Sequence, residues 1–259
     1  FFIPAVTMRL FAEERKSGSL ETLMTLPVFY SSTLDGLRGA EAHHVQVKRI
    51  TVGEKIVLVD GQGRSATCTV TAVSKGAVEV DVEHIDTVER AQHITVVQAL
   101  PKSERSELTV DLLTQAGADT IIPWQASRSI AKWAGKEAKA HAKWEKTVTA
   151  AAKQCRRAWW PEVAQLHRTR DVITLIEQHI ELGRGPVLML HETADQPLRS
   201  MDLRGDIMLI VGPEGGISPE EYEAFTRAGG RATKLGPEIL RTATAGFAAL
   251  AGIGALTRW

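Results

Sequence analysis

The run Leu209-Ile210-Val211-Gly212-Pro213-Glu214-Gly215-Gly216-Ile217-Ser218-Pro219-Glu220-Glu221 sets a carboxylate and three glycines between an apolar stretch and a helix-start signal. Ile207 to Val211 is strand-sized and apolar. Gly212, Gly215 and Gly216 permit backbone conformations closed to other residues and a close approach to a ligand. Ser218, Pro219 and Glu221 form a Ser-x-x-Glu capping box with proline at the first helical position. Loops between a strand end and a helix start are where open α/β sheets hold small ligands. A plain strand-to-helix connection needs fewer glycines, so the segment reads as a ligand loop.

A second segment has the same build. Lys234-Leu235-Gly236-Pro237-Glu238-Ile239-Leu240-Arg241-Thr242-Ala243-Thr244-Ala245 runs from a short strand through a Gly-Pro turn. An Ala-rich helix is predicted from Thr244 to Leu256, capped by Thr242 or Thr244. Arg241 sits at the helix end that disfavours a cation. A tolerated surface arginine is the bland explanation; an anion or base within its reach is the better one.

GPEGGISPEE followed by LGPEILRTATA, after the strand Val187-Leu188-Met189-Leu190-His191-Glu192, resembles the RsmE family of SPOUT methyltransferases. Ala99-Leu100-Pro101-Lys102, Gln125 to Arg128 and Ala151 to Arg157 add to the resemblance, which spans Thr25 to Trp259. It implies S-adenosylmethionine-dependent methylation of uracil N3 in one uridine of 16S ribosomal RNA. It also implies a homodimer. The longest apolar runs are strand-sized, so no membrane span is expected, and two cysteines without metal-like spacing predict no metal site and suit a reducing cytoplasm. The rival readings are a SPOUT enzyme acting on another nucleotide or a ribose, and a non-catalytic RNA-binding assembly factor. A nucleotide-phosphate enzyme ranks low, because neither G-x-x-x-x-G-K-[ST] nor a strand followed by G-x-G-x-x-G is present.

On this resemblance the cofactor residues are Leu190, His191 and Glu192 in one loop, and Gly212, Pro213, Gly215, Gly216 and Ile217 in the next. Leu235, Gly236, Ile239, Leu240, Thr242 and Thr244 make the third. Leu235, Ile239 and Leu240 are expected to be apolar walls for adenine. A Cβ at Gly215 is expected to intrude on the ligand. Uracil N3 carries a proton at neutral pH, so methylation needs a base or a cation that stabilises the uracil anion. Arg241 is the candidate for stabilising O2 or O4, or for fixing the phosphate beside the target. Glu214 or Glu192 is the candidate to oppose the sulfonium or bind ribose hydroxyls, although for Glu214 a carboxylate near a helix N-terminus is favourable anyway. Arg128, Gln154, Arg156 and Arg157 are expected to bind RNA. Lys48 and Arg49 join them, with His43, His44 and Arg64 as further phosphate contacts. Ser103-Glu104-Arg105-Ser106 departs from the lysine-richer family pattern, which leaves RNA contact there in doubt.

The elements that must position these residues follow from pattern. The chain has 259 residues, with 31 Lys+Arg against 31 Asp+Glu, which argues against indiscriminate nucleic-acid coating but not against a local patch. Between Arg128 and Arg170 there are eleven Lys or Arg against three Asp or Glu, interleaved with Trp133, Trp144, Trp159 and Trp160. RNA surfaces accept such a mixture. Trp144, Val148, Ala152, Cys155 and Trp159 share a helical face, so one side is expected to pack and the other to meet phosphate. Cys68 and Cys155 lack a metal-like spacing and read as small hydrophobes.

Residues 1–23 lack family-like sequence, and Met8 to Leu23 resembles a cytoplasmic piece of an ABC-type permease subunit. They read as an upstream-extended or misjoined start with no function. Residues 24–90 are β-rich, with a short helix over Glu41–Ile50 and a hairpin of Ser65–Val73 and Ala77–His84. The resemblance implies a PUA-like β-barrel RNA-binding domain there. Residues 91–259 alternate strand and helix, which predicts a mainly parallel sheet covered on both faces. The resemblance adds the SPOUT trefoil knot.

Overall fold

The computed structural model describes residues 26–90 and 92–258; the 1–23 extension lies outside them. The chain divides into two compact units. One holds 26–90 with Lys153–Trp160, the other 92–152 with Pro161–Arg258.

The first unit is a barrel-like five-stranded sheet in the order β1 (Val28–Tyr30), β3 (Lys55–Val59), β4 (Arg64–Ser74), β5 (Ala77–Thr87), β2 (Gly36–Arg38). β1 runs parallel to β3 and the other pairs are antiparallel. Two register shifts between β4 and β5 bend that long hairpin. Phe29, Leu37, Ile56, Leu58 and Val78 fill its core with Val45 of helix α1 (Gly39–Val47). The helix ends earlier than the predicted Ile50 because the chain turns at Arg49, whose φ is 56°. Cys68 is fully buried here. Burial, then the charges of Glu83 and Asp81, push its thiol up to about 11, so it is no nucleophile at neutral pH. Arg64 is paired with Asp60 at 2.7 Å across the β3–β4 turn, which gives it a structural partner.

Lys153–Trp160 completes this unit. Trp160 N–H donates to the Gly61 carbonyl at 2.9 Å, and Gly63 N–H to that of Ala158 at 3.0 Å. The indoles of Trp160 and Trp159 lie so close over Gly61 and Gly63 that a Cβ there would sit 2.9 and 2.5 Å from ring carbons. This contact explains a correction. Helix α3 (Glu137–Gln154) stops before Cys155 and Trp159, so those two do not share its face. Arg156, at φ 56°, turns the chain out of the helix toward the glycine bend.

The second unit has an all-parallel sheet in the order β12 (Arg231–Thr233), β10 (Val187–Leu190), β11 (Ile207–Val211), β6 (Ile94–Ala99), β7 (Thr120–Gln125). The two-residue strands β8 (Glu162–Val163) and β9 (His167–Arg168) both pair with β7. On one face, Val110 and Leu113 of α2 (Ser106–Ala116), Trp144 and Val148 of α3, and Leu250 and Ile253 of α6 (Thr242–Thr257) pack on Val96, Leu209 and Val211. On the other, Val172 and Ile176 of α4 (Thr169–Glu181) and Phe225 of α5 (Pro219–Arg227) pack on Val97, Met189 and Ile210. A strand buried on both faces needs a continuous apolar run, and Ile207–Val211 is buried at every position. Trp133 and Trp144 meet edge to face at 5.1 Å, while Lys132, Lys136, Lys139, Lys143 and Lys146 stay exposed.

The chain end crosses the β10–β11 connection. Lys234 N–H donates to the Gln196 carbonyl at 3.1 Å, and Leu198 N–H to that of Lys234 at 2.9 Å. After this crossing α6 returns from the β12 edge to pack over the inner strands, with Gly246 against Leu113, Gln98 and Val211.

Candidate active site

The carboxyl ends of β10, β11 and β12 open onto a cleft of about 1050 Å³. Three bends form its walls, and the β6–α2 connection and Arg128 close its rim. Its position at the strand ends of a parallel sheet is the usual place for a ligand in this architecture.

The central bend is shaped by local bonds. Gly216 N–H donates to the Pro213 carbonyl at 2.9 Å, closing a turn that ends with Gly216 at φ 74°. Ser218 then caps α5: its hydroxyl accepts from Glu221 N–H at 3.2 Å, and the Glu221 carboxylate accepts from Ser218 N–H at 3.2 Å. Ile217 is buried beneath the bend, and a Cβ at Gly212 would lie 2.8 Å from its Cγ1. Gly212 therefore keeps the floor of the cleft in place.

Gly215 lines the cleft and also touches the neighbouring loop. Its missing Cβ faces Arg128, 3.1 Å from the Arg128 Cβ and 3.3 Å from its carbonyl oxygen. The glycine makes room for the neighbouring loop. Arg128 Nη1 donates to the Gly215 carbonyl at 3.2 Å. Glu214 is exposed, and its carboxylate accepts from Lys102 N–H at 3.1 Å, which ties the bend to the β6–α2 connection.

In the first bend, His191 Nδ1 accepts from the Thr193 N–H at 3.3 Å and lies 2.9 Å from the Thr193 hydroxyl. Its ring meets Tyr222 edge-on at 4.9 Å. In the third bend Ile239 is 79% and Leu240 39% exposed, apolar surface turned to a cleft wall. Arg241 is extended (φ −70°, ψ 147°) and exposed at the N-terminus of α6.

Leu190, His191, Glu192, Gly212, Pro213, Glu214, Gly215, Gly216, Ile217, Leu235, Gly236, Ile239, Leu240, Arg241 and Thr242 all line this one cleft. Thr244 does not. Its hydroxyl turns back to donate to the Arg241 carbonyl at 3.3 Å. Neither threonine caps the helix, which begins at Thr242 with Arg241 as the flanking residue and no side-chain cap. The rim adds Lys102, Arg105, Lys234 and Tyr222, which sequence reasoning did not assign to the site. Arg105 falls in the stretch where RNA contact was doubted. Lys48, Arg49, Gln154, Arg156 and Arg157 belong to the first unit. There the Lys48 ammonium lies 5.3 Å from the Phe29 ring centre, and the Arg157 carbonyl accepts the Trp160 indole N–H at 3.1 Å.

Comparison with known proteins adds the chemistry class. Residues 88–254 match the RNA methyltransferase domain, and 37–83 match the RNA methyltransferase PUA domain. The chain is 42% identical to ribosomal RNA small subunit methyltransferase E of Mycobacterium bovis, over 91% of this chain and 94% of that protein. The chain belongs to the ribosomal RNA small subunit methyltransferase E family. The family's Bacillus subtilis member is 31% identical over 84% of this chain and 88% of its own length. A family structure from Neisseria gonorrhoeae, bound to S-adenosyl methionine, superposes with a TM-score of 0.79 at 28% identity, covering 89% of this chain and 98% of that one. Among the described residues, no cluster of His, Cys, Asp or Glu could hold a metal, and no helix is long and apolar enough to cross a membrane.

Proposed function

We propose that the chain methylates uracil N3 of a uridine in 16S ribosomal RNA, using S-adenosylmethionine held in the cleft at the ends of β10, β11 and β12. The observation that carries this reading is the convergence of three strand-end bends, two of them glycine-bearing, on one cleft, in a member of this family. The cleft's size suits a nucleoside-sized ligand. The exposed Ile239 and Leu240 beside the half-buried Leu235 suit a flat neutral ring. Glu192 and Glu214 suit ribose hydroxyls and a sulfonium. When bound, S-adenosylmethionine supplies an electrophilic methyl group.

The residues of the chain supply the rest. Arg241, fixed at the start of α6, stabilises negative charge on a uracil carbonyl oxygen as the N3 proton leaves, because a preorganised cation acts more strongly there than in bulk water. Lys102, Arg105, Arg128 and Lys234 on the rim neutralise phosphates and fix the register of the RNA. Lys48, Arg49, Gln154, Arg156 and Arg157 of the first unit also bind RNA. The side chains of Phe247, 37% exposed, and Leu256, 53% exposed, support α6 as the contact with a second copy in a homodimer. A cytoplasmic setting accords with a ribosomal substrate.

The test is transfer of labelled methyl to small ribosomal subunits or their RNA from a strain lacking this modification. The reading expects stoichiometric labelling recovered as 3-methyluridine. Cofactor-independent RNA binding without labelling would favour the assembly-factor alternative. Label on another base or on ribose would assign a different acceptor.

A further inference from the structure

Glu221 is only 4% exposed, yet its carboxylate accepts four hydrogen bonds from three separate segments. Ser127 gives two, from its N–H at 2.8 Å and its hydroxyl at 2.9 Å. Thr169, at the start of α4, gives its hydroxyl at 2.7 Å. Ser218 N–H gives the fourth at 3.2 Å. Capping α5 requires only the Ser218 bond. The other three join the helix to the connection after β7 and to α4. A carboxylate is acceptor-only, with about four lone-pair sites, so donors fill this one. Thr169 is committed to its role as well, since its hydroxyl oxygen accepts the Trp124 indole N–H at 3.3 Å.

The residue after Ser127 is Arg128, which lines the cleft and donates to the Gly215 carbonyl. The central bend is thus held at both ends by one buried carboxylate, directly at Ser218 and through Ser127 and Arg128 at Gly215. Glu221 itself is not part of the cleft wall. We propose that Glu221 is a positioning residue for methyl transfer: it fixes the Arg128 loop over the Gly215–Gly216 bend and so sets where the Arg128 guanidinium meets RNA.

This inference rests on the RNA methyltransferase reading above, and its test separates the two. Glu221→Gln keeps the size but turns one acceptor into a donor facing donors. Wild type, Glu221→Gln, Arg128→Ala and the double variant are compared for RNA affinity, for kcat and KM toward RNA, and for S-adenosylmethionine affinity. The expectation is a loss of about tenfold or more in kcat/KM for RNA with Glu221→Gln, carried by KM and by RNA affinity. Cofactor affinity should change by less than about threefold, and the double variant should be no worse than Arg128→Ala within about twofold. Ser127→Ala, which leaves the capping box intact, should shift RNA KM the same way with a smaller fall in melting temperature than Glu221→Gln. If Glu221→Gln fails to fold, Ser127→Ala combined with Arg128→Ala gives the same cycle. Independent, multiplying losses in the double variant, or equal losses of cofactor and RNA affinity, would overturn the proposal. A wild type that transfers no methyl would sink the reading above, while the RNA-affinity cycle would still decide the role of Glu221.

Discussion

Arg241, exposed on the cleft wall, is the residue on which we propose the chemistry turns. Its backbone is extended at the head of α6, and its carbonyl is taken by Thr244 N–H at 2.8 Å and Ala245 N–H at 2.9 Å, so the position is fixed while the side chain stays exposed to the cleft. Arg241→Ala should lower kcat by about a hundredfold or more, the usual cost of removing one preorganised stabilising group. S-adenosylmethionine affinity by calorimetry should stay within a few-fold of wild type. Unchanged turnover would remove Arg241 from the mechanism. The glycines, the paired Pro213-Glu214 and this arginine were legible in the sequence because each is anomalous where it stands. Lys102, Arg105 and Tyr222 were not, because nothing local marks them: they reach the cleft only through strand order. Gly215 was legible as a constraint but not in its cause, since the atom it avoids belongs to Arg128, far away along the chain.

Among the elements, the long periodic ones were readable and the short ones were not. Ile207–Val211 and α4 declare themselves by an unbroken apolar run and by buried Val172, Ile176 and His179 at helical spacing. β1, β2, β8 and β9 have three residues or two, too few for any period, and exist because a neighbour offers pairing. The end of α3 was misplaced because the signal that stops it is the glycine bend at Gly61–Gly63, not a local breaker. Two predictions belong here. Gly246 sits where a Cβ would be 2.7 Å from Leu113 Cδ2, so Gly246→Leu should cost about 1–3 kcal/mol by overpacking α6 on α2. An unchanged melting temperature would contradict that close contact. His179 is buried and donates from Nε2 to the Asp206 carbonyl at 3.2 Å. Burial pushes its imidazole below the ordinary value, against the opposing effect of that hydrogen bond. The unfolded chain then takes up a proton before the folded one does. Stability should fall as pH drops from about 6.5 toward the lowered value, and His179→Gln should flatten that part of a melting-temperature profile. A slope unchanged by the substitution would exclude this source.

At the scale of the whole molecule, alternation of strand and helix announced the parallel sheet, and the small barrel-like unit followed from its hairpin. The crossing of Lys234 past Gln196 and Leu198 could not be read from periodicity, because it is a property of the path and not of any element. That crossing brings the third bend and Arg241 to the ends of β10 and β11, so the fold's unusual path and its chemistry are one feature. The central claim is therefore that this cleft methylates uracil N3 in 16S ribosomal RNA. The most direct measurement is nucleoside mass spectrometry of 16S RNA from a strain lacking this chain, complemented with wild type or with Arg241→Ala. The account predicts that 3-methyluridine disappears, returns with wild type and stays absent or strongly reduced with the variant. Persistence of 3-methyluridine in the deletion strain, with no other modification lost, would contradict it.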